Sequence, residues 1–242
     1  MEAGAGIGSG SSTERLRPAH IAAVVVVAVV LGLAAAAVAH FVIARGSSPA
    51  AGAALAGPAT VSQRFGLDGE ATWAAGARPA PAITGLHDQT GRVFSLASLR
   101  GRTIAMTFFD SHCTQECPLE GRALAAAERS LPATERPVLV AVSVNPTQDT
   151  AVSDGAAAKA WGLSEVSSWH WLMGTPSELR RVWNEYHISV GKPVDGDVPH
   201  TEALYLIDSH GDERSGYLYP FATRFVTHDL NVLAPRAARG TD

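Results

Sequence analysis

Cysteine and lysine are nearly missing from this 242-residue chain, and one long stretch carries no charge at all. Two lysines, Lys159 and Lys192, stand among 19 basic residues, and the net charge is −4. Nucleic-acid binding calls for clustered Lys and Arg on one face, so that class of function is set aside. The shortage of lysine beside abundant Arg and Ala fits a GC-rich genome better than any function. Between Pro18 and Ala44 there is no Asp, Glu, Lys or Arg, and Ile21–Ala39 is almost wholly Ala, Val and Leu. About twenty such residues cross a bilayer as a helix, whereas a core helix is seldom apolar on every side.

The expected organisation therefore begins with a cytoplasmic segment, 1–20, and a transmembrane anchor, 21–44. Arg15 and Arg17 precede the span and Arg45 follows it, a weak positive-inside bias that leaves the bulk of the chain outside the cytoplasm. Ala37-Val38-Ala39 resembles a cleavage site, but the apolar run is long for a signal-peptide core, so an uncleaved anchor is expected. No cysteine closely follows the span, which excludes attachment through a lipidated thiol. Residues 45–81 are rich in Ala, Gly, Ser and Pro, the composition of a flexible linker, with Phe65 and Trp73 as side chains able to pack. The folded domain is expected over 82–236, followed by a short tail, 237–242.

Only two cysteines remain to be placed, and both fall in one motif, Cys113-Thr114-Gln115-Glu116-Cys117-Pro118, behind the apolar run Thr103–Phe109. Packing alone would scatter them. Two chemistries need paired thiolates in one turn: reversible disulfide formation and binding of a soft metal such as Cu(I).

The pattern around the motif alternates strands with helices. Asp88–Arg92 reads as a hairpin turn leading into a strand at Val93–Leu96. Thr103–Phe109 is a strand, and Pro118 fits the first position of a helix that Pro132 ends. Val138–Val144 is a continuous β-branched run, as in a strand buried on both faces. A helix around Ala156–Trp161, a strand at Trp169–Met173 and a helix at Ser177–Tyr186 follow. Ala203–Asp208 and Gly216–Tyr219 read as two strands around the turn Ser209–Asp212, and Thr223–Leu233 closes the domain as a helix. This order is α/β with a central mixed sheet. A cysteine motif after an early strand points to a thioredoxin-like domain, preceded by the transmembrane helix.

Phe109-Asp110-Ser111-His112-Cys113-Thr114-Gln115-Glu116-Cys117-Pro118 resembles the C-x-x-x-C-P signature of the Sco/SenC family of membrane-anchored copper proteins. Further matches follow in order over residues 85–233. Ser143-Val144-Asn145-Pro146 with Asp149-Thr150 resembles the family's segment after the next strand, and Trp171-Leu172-Met173-Gly174 its Leu-x-Gly turn. Val198-Pro199-His200-Thr201 resembles the segment that carries the family's histidine. The resemblance implies a copper site of Cys113, Cys117 and His200. It also implies a role in metallating the CuA site of a cytochrome c oxidase, with the CuA subunit as recipient and with a copper donor and a thiol reductant as further partners. Three departures stand out: Thr114 where the family usually has Pro, Asn145 where it usually has Asp, and a long linker.

The spacing is compatible with both thiol chemistries. Residues four apart in a helical turn have Cβ atoms roughly 5–6 Å apart. A metal with thiolate bonds of ~2.3 Å fits between two such sulfurs, whereas a disulfide prefers Cβ atoms roughly 3.5–4.5 Å apart, so the turn would tighten on oxidation. Of nine histidines, His112 adjoins Cys113, but chain neighbours usually point apart; the resemblance singles out His200 instead. A copper-binding assembly factor is the leading expectation. A thiol–disulfide oxidoreductase that keeps a partner's cysteines reduced is the alternative, and it needs the thiols but not His200. A peroxidase on the same fold is disfavoured, because Asp110 and Ser111 stand where such sites place Thr.

Overall fold

Ile104–Phe109 and Val138–Ser143 are buried at every residue, and each forms the strand that its apolar run predicts. The computed structural model describes residues 65–194 and 196–235. Within them, one sheet contains β1 (Ala71–Thr72), β2 (Ile104–Phe109), β3 (Val138–Ser143), β4 (Trp169–Leu172), β5 (Ala203–Ile207) and β6 (Glu213–Leu218). The α-helices are α1 (Glu116–Arg129), α2 (Ala151–Ala160), α3 (Pro176–Glu185) and α4 (Thr223–Leu233). The sheet order is β1-β6-β5-β2-β3-β4. β2, β3 and β4 run parallel, while β5 is antiparallel to β2 and β6 to β5. The sheet is mixed, as expected.

Side chains alternate across the sheet with period two. Ala105 and Phe109 of β2 face a core shared with Leu124 of α1, Ala158 of α2 and Leu230 of α4. Ile104, Met106 and Phe108 face the opposite core, against Leu179, Val182 and Trp183 of α3. Gly121 in α1 allows the helix to approach Trp161, since a Cβ there would sit 3.0 Å from the Trp161 side chain.

Several boundaries differ from those expected. Val93–Leu96 is not a strand: Val93 makes one isolated bridge to His87, and Leu96 opens a 3₁₀ turn over Leu96–Leu99. The preceding turn does form, with Asp88 Oδ1 accepting from the amides of Thr90 and Arg92 and from the Thr90 hydroxyl. Helix α1 starts at Glu116, two residues before Pro118. First-turn amides have no intrahelical acceptor, so a proline there forfeits no hydrogen bond. Helix α2 starts at Ala151 rather than near Ala156, because Thr150 and Ser153 form a reciprocal capping box.

Residues 65–81, the half of the expected linker that contains Phe65 and Trp73, pack on the domain. Leu67 is buried, β1 pairs with β6, and Pro79 bridges to Asp212. The buried Asp229 carboxylate holds this segment by accepting from the amides of Asp68 (2.7 Å) and Gly69 (3.2 Å). No helix among the described residues is long and apolar enough to cross a membrane. The expected anchor, 21–44, and the segments 1–20 and 237–242 lie outside the described residues.

Candidate metal and thiol site

The strand topology brings two distant segments to one end of the sheet. β2 ends at Phe109 and the chain turns into the cysteine loop. β5 runs antiparallel to β2, with Met106 opposite Tyr205, so the residues just before β5 lie beside the carboxyl end of β2. His200 is three residues before β5. Cys113, Gln115, Glu116, Val194, Asp197, His200 and Glu202 thus line one open cleft of about 360 Å³.

Asp110 organises the junction. It is fully buried, and its Oδ1 accepts from the His112 amide (2.9 Å) and from the Asn145 side-chain amide (3.1 Å). Its Oδ2 accepts from the Val198 amide at 3.1 Å, which ties the cysteine loop to the loop carrying His200. This explains Asn145: an amide donates to the Asp110 carboxylate, where an Asp would set two buried carboxylates against each other. Ser111 and Ser143 both donate to Asp149, which fastens the loop to the segment following β3.

The cysteines are unequal. Cys117 is buried in the first turn of α1, and Cys113 is partly exposed ahead of it. The Cys117 thiol and the amides of Cys117 and Gln115 are the donors nearest in effect to the Cys113 sulfur. These donors stabilise the Cys113 thiolate and bring its pKa down to about 6, with the Cys117 thiol contributing most. The same interaction with Cys113, together with burial, pushes the Cys117 thiol strongly up. One proton therefore serves both sulfurs at neutral pH, with the charge on the exposed one.

Cys117 Sγ, a ring nitrogen of His200 and a carboxylate oxygen of Glu202 all lie within 4.8 Å of one another. Cys113 stands outside that trio and lines the same cleft as His200 and Glu202. The His200 ring sits between two carbonyls, Nδ1 2.8 Å from Val198 O and Nε2 3.0 Å from Phe108 O. A neutral imidazole has one N–H and satisfies only one of them, so metal ligation requires the ring to turn its free nitrogen away from the other. His112 is directed elsewhere, 3.7 Å from both Asp110 and Asp149. His170 and His228 face Asp88 and Asp68 respectively.

Acidic groups crowd this cleft. Burial, with smaller contributions from neighbouring carboxylates and the Cys113 sulfur, pushes Glu120 up to about 8 and Glu202 up to about 7. Glu120 is fully buried, with Oε1 accepting from Thr107 at 2.5 Å and Oε2 unpartnered. Sequence reasoning missed Asp110, Glu120 and Glu202. Glu202 had a usable signal, because residues two apart in extended chain share a face and His200 is two residues before it. Asp110 and Glu120 had none, since the partners that tie them to the site, Asn145 and Val198 for Asp110 and Thr107 for Glu120, come from other segments of the chain.

A family model described as SCO1/SenC matches residues 84–234. No curated protein matches the sequence. Among solved structures, the chain is similar to Bradyrhizobium japonicum ScoI with copper bound, at 24% identity and a TM-score of 0.55, covering 65% of this chain and 99% of that one. It is similar to Arabidopsis thaliana ScoI with copper bound, at 23% identity and a TM-score of 0.55, over 62% of this chain and 94% of that one. BsSco, described as a Sco-family cytochrome c oxidase assembly protein with a disulfide switch, gives 21% identity and a TM-score of 0.55, over 66% and 95%. These likenesses establish a shared fold.

Proposed function

The chain belongs to the SCO1/SenC family, and from that premise we propose that it is a copper-binding assembly factor for the CuA site of a cytochrome c oxidase. Copper is its cargo, held by Cys113, Cys117 and His200. The observation that carries this reading is the convergence of Cys117 Sγ and a His200 nitrogen within 4.8 Å, in a cleft that Cys113 also lines. The donor set fits the ion: thiolates suit Cu(I), and imidazole with thiolate suits Cu(II). Copper-bound ScoI structures with this fold support the same cargo. The CuA subunit is the recipient in this reading, with a copper donor and a thiol reductant upstream. Residues 21–44 anchor the domain on the extracytoplasmic face of the membrane.

The experiment is a copper titration of the reduced full-length protein in detergent, beside Cys113→Ser and His200→Ala. Wild type should bind one copper per chain, and Cys113→Ser should lose most of its Cu(I) affinity. His200→Ala should keep Cu(I) on its two sulfurs but lose most Cu(II) affinity and the sulfur-to-copper charge-transfer colour. A His200→Ala protein with the wild-type copper spectrum would remove His200 from the site.

The asymmetry of the thiols supports a second reading, a thiol–disulfide reductase acting on the recipient's cysteines. The Cys113 thiolate attacks one sulfur of the partner's disulfide, forming a mixed disulfide and releasing the partner's other sulfur as a thiolate. Cys117 then gives up its proton and attacks the Cys113 sulfur, releasing the second partner thiolate and leaving a Cys113–Cys117 disulfide. Two electrons pass from the pair to the partner. Normal oxidase assembly by His200→Ala, with Cu(II) binding lost, favours this reading over copper delivery.

A further inference from the structure

We propose that Glu202 is an additional, oxygen ligand of the copper site, engaged when the ion is Cu(II). The inference rests on the copper reading above and adds a residue that the thiol motif and the histidine segment do not include. Three observations lead to it.

The first is position. A Glu202 carboxylate oxygen lies within 4.8 Å of both Cys117 Sγ and a His200 ring nitrogen. Bonds of about 2.0–2.3 Å from one ion to oxygen, nitrogen and sulfur place such donors roughly 3–4.5 Å apart, so little closure is needed. His200 and Glu202 are two residues apart in a chain segment entering β5, which turns both side chains to the same cleft.

The second is that the carboxylate is uncommitted. Asp110 and Asp149, which also lie close by, spend their oxygens on amides and hydroxyls that hold loops together. Among the described residues, no hydrogen bond or ion pair engages the Glu202 carboxylate, and the charged groups that act on it are Glu116 and the Cys113 sulfur. Glu120 acts from the buried side. A partly buried carboxylate whose charged neighbours are acidic gains most from a cation placed among them.

The third is donor chemistry. Two sulfurs and one nitrogen make a soft set, and a carboxylate oxygen is a hard donor. Cu(I) is satisfied by the soft set, whereas Cu(II) accepts four or more ligands including oxygen. Glu202 therefore tunes which oxidation state the site retains and leaves the thiolates to hold either one.

The test uses the full-length protein in detergent, reduced and handled without oxygen, as wild type, Glu202→Gln and Glu116→Gln. Dissociation constants for Cu(II) and Cu(I) come from chelator competition, the Cu(II) ligand set from electron paramagnetic resonance, and folding from circular dichroism melts. Glu202→Gln should weaken Cu(II) by about 10-fold or more, the scale at which even supporting groups around a metal act. It should also change the copper hyperfine splitting, while Cu(I) affinity stays within about threefold. Glu116→Gln should leave the hyperfine splitting as in wild type. Identical Cu(II) affinity and splitting in Glu202→Gln would overturn the inference. Equal losses in both Gln variants without a spectral change would replace ligation by a diffuse charge effect and overturn it too. Wild type that binds copper while Glu202→Gln shows no change refutes only this inference; wild type that binds neither ion refutes the copper reading as well.

Discussion

Reaction of Cys113 with a small alkylating reagent should follow an ionisation near pH 6, and Cys117→Ala should move that midpoint upward. The hydrogen bond from the Cys117 thiol is the largest influence on Cys113, ahead of the amides of Cys117 and Gln115. An ordinary thiol titrates near 8.5, so at pH 7 Cys113 carries about 30-fold more thiolate than an unperturbed cysteine. The gain in rate is smaller, because nucleophilicity falls with basicity at a Brønsted coefficient of ~0.4–0.5, costing each thiolate about 10-fold or slightly more. The net acceleration at pH 7 is only about two- to threefold, so absolute rate is a poor readout and the pH profile is the informative one. Cys117 is buried and its thiol is pushed up, so it should stay silent in the folded protein. The assay is iodoacetamide labelling from pH 5 to 10, read by peptide mass spectrometry. Wild type should plateau above about pH 7. Cys117→Ala keeps the backbone amides, so its midpoint should rise by more than one unit yet stop short of ~8.5. A wild-type midpoint of 8 or above would refute the proton-sharing account, and so would a Cys117→Ala midpoint still at 6.

Asp229→Ala should destabilise the domain by about 3 kcal/mol or more, since each orphaned buried donor costs about 1–3 kcal/mol and three of the four are buried. It strands the amides of Asp68 and Gly69 and the hydroxyls of Ser215 and Tyr217. Limited proteolysis should then cut first near residues 65–72, and unchanged resistance there would contradict the anchoring role. Burial raises Asp154 to about 8, with Asp149 adding to it. A folded-state pKa above the unfolded value of ~3.9 gives a contribution that is complete below pH ~4 and is lost as pH rises toward 8. Urea melts at pH 5, 6.5 and 8 should show Asp154→Asn gaining stability relative to wild type as pH rises; a constant difference refutes this. If residues 21–44 anchor the chain with the domain outside, protease added to intact spheroplasts should remove the domain, and full protection would reverse the topology.

The elements legible in the sequence were those whose cause is local. The apolar runs of β2 and β3, the helix expected at Ser177–Tyr186, which forms as α3, and the turn at Ser209–Asp212 each carry their determinants within a few residues. Local signals failed where a short segment had two outcomes. Val93–Leu96 had strand-forming residues but no partner strand alongside, so one bridge formed and the chain turned. Residues 65–81 looked like a tether because their composition is poor in core residues, and what holds them is a carboxylate more than 150 residues away.

The same division runs through the site. The C-x-x-x-C spacing and the position of Pro118 determined that one thiol would open a helix with the other close before it, although Cys113 lies in the loop and not in the helical turn. Which histidine comes near Cys117 was decided by the antiparallel pairing of β5 with β2, which carries His200 to the carboxyl end of β2 while His112, beside Cys113 in the chain, turns toward Asp110 and Asp149. The unequal charging of Cys113 and Cys117, and the placing of Glu202 among acidic neighbours, depend on burial and on groups brought from three elements. Chain order specifies which donors exist; the dielectric and the distances that set their protons and their ligand field exist only once the sheet has assembled.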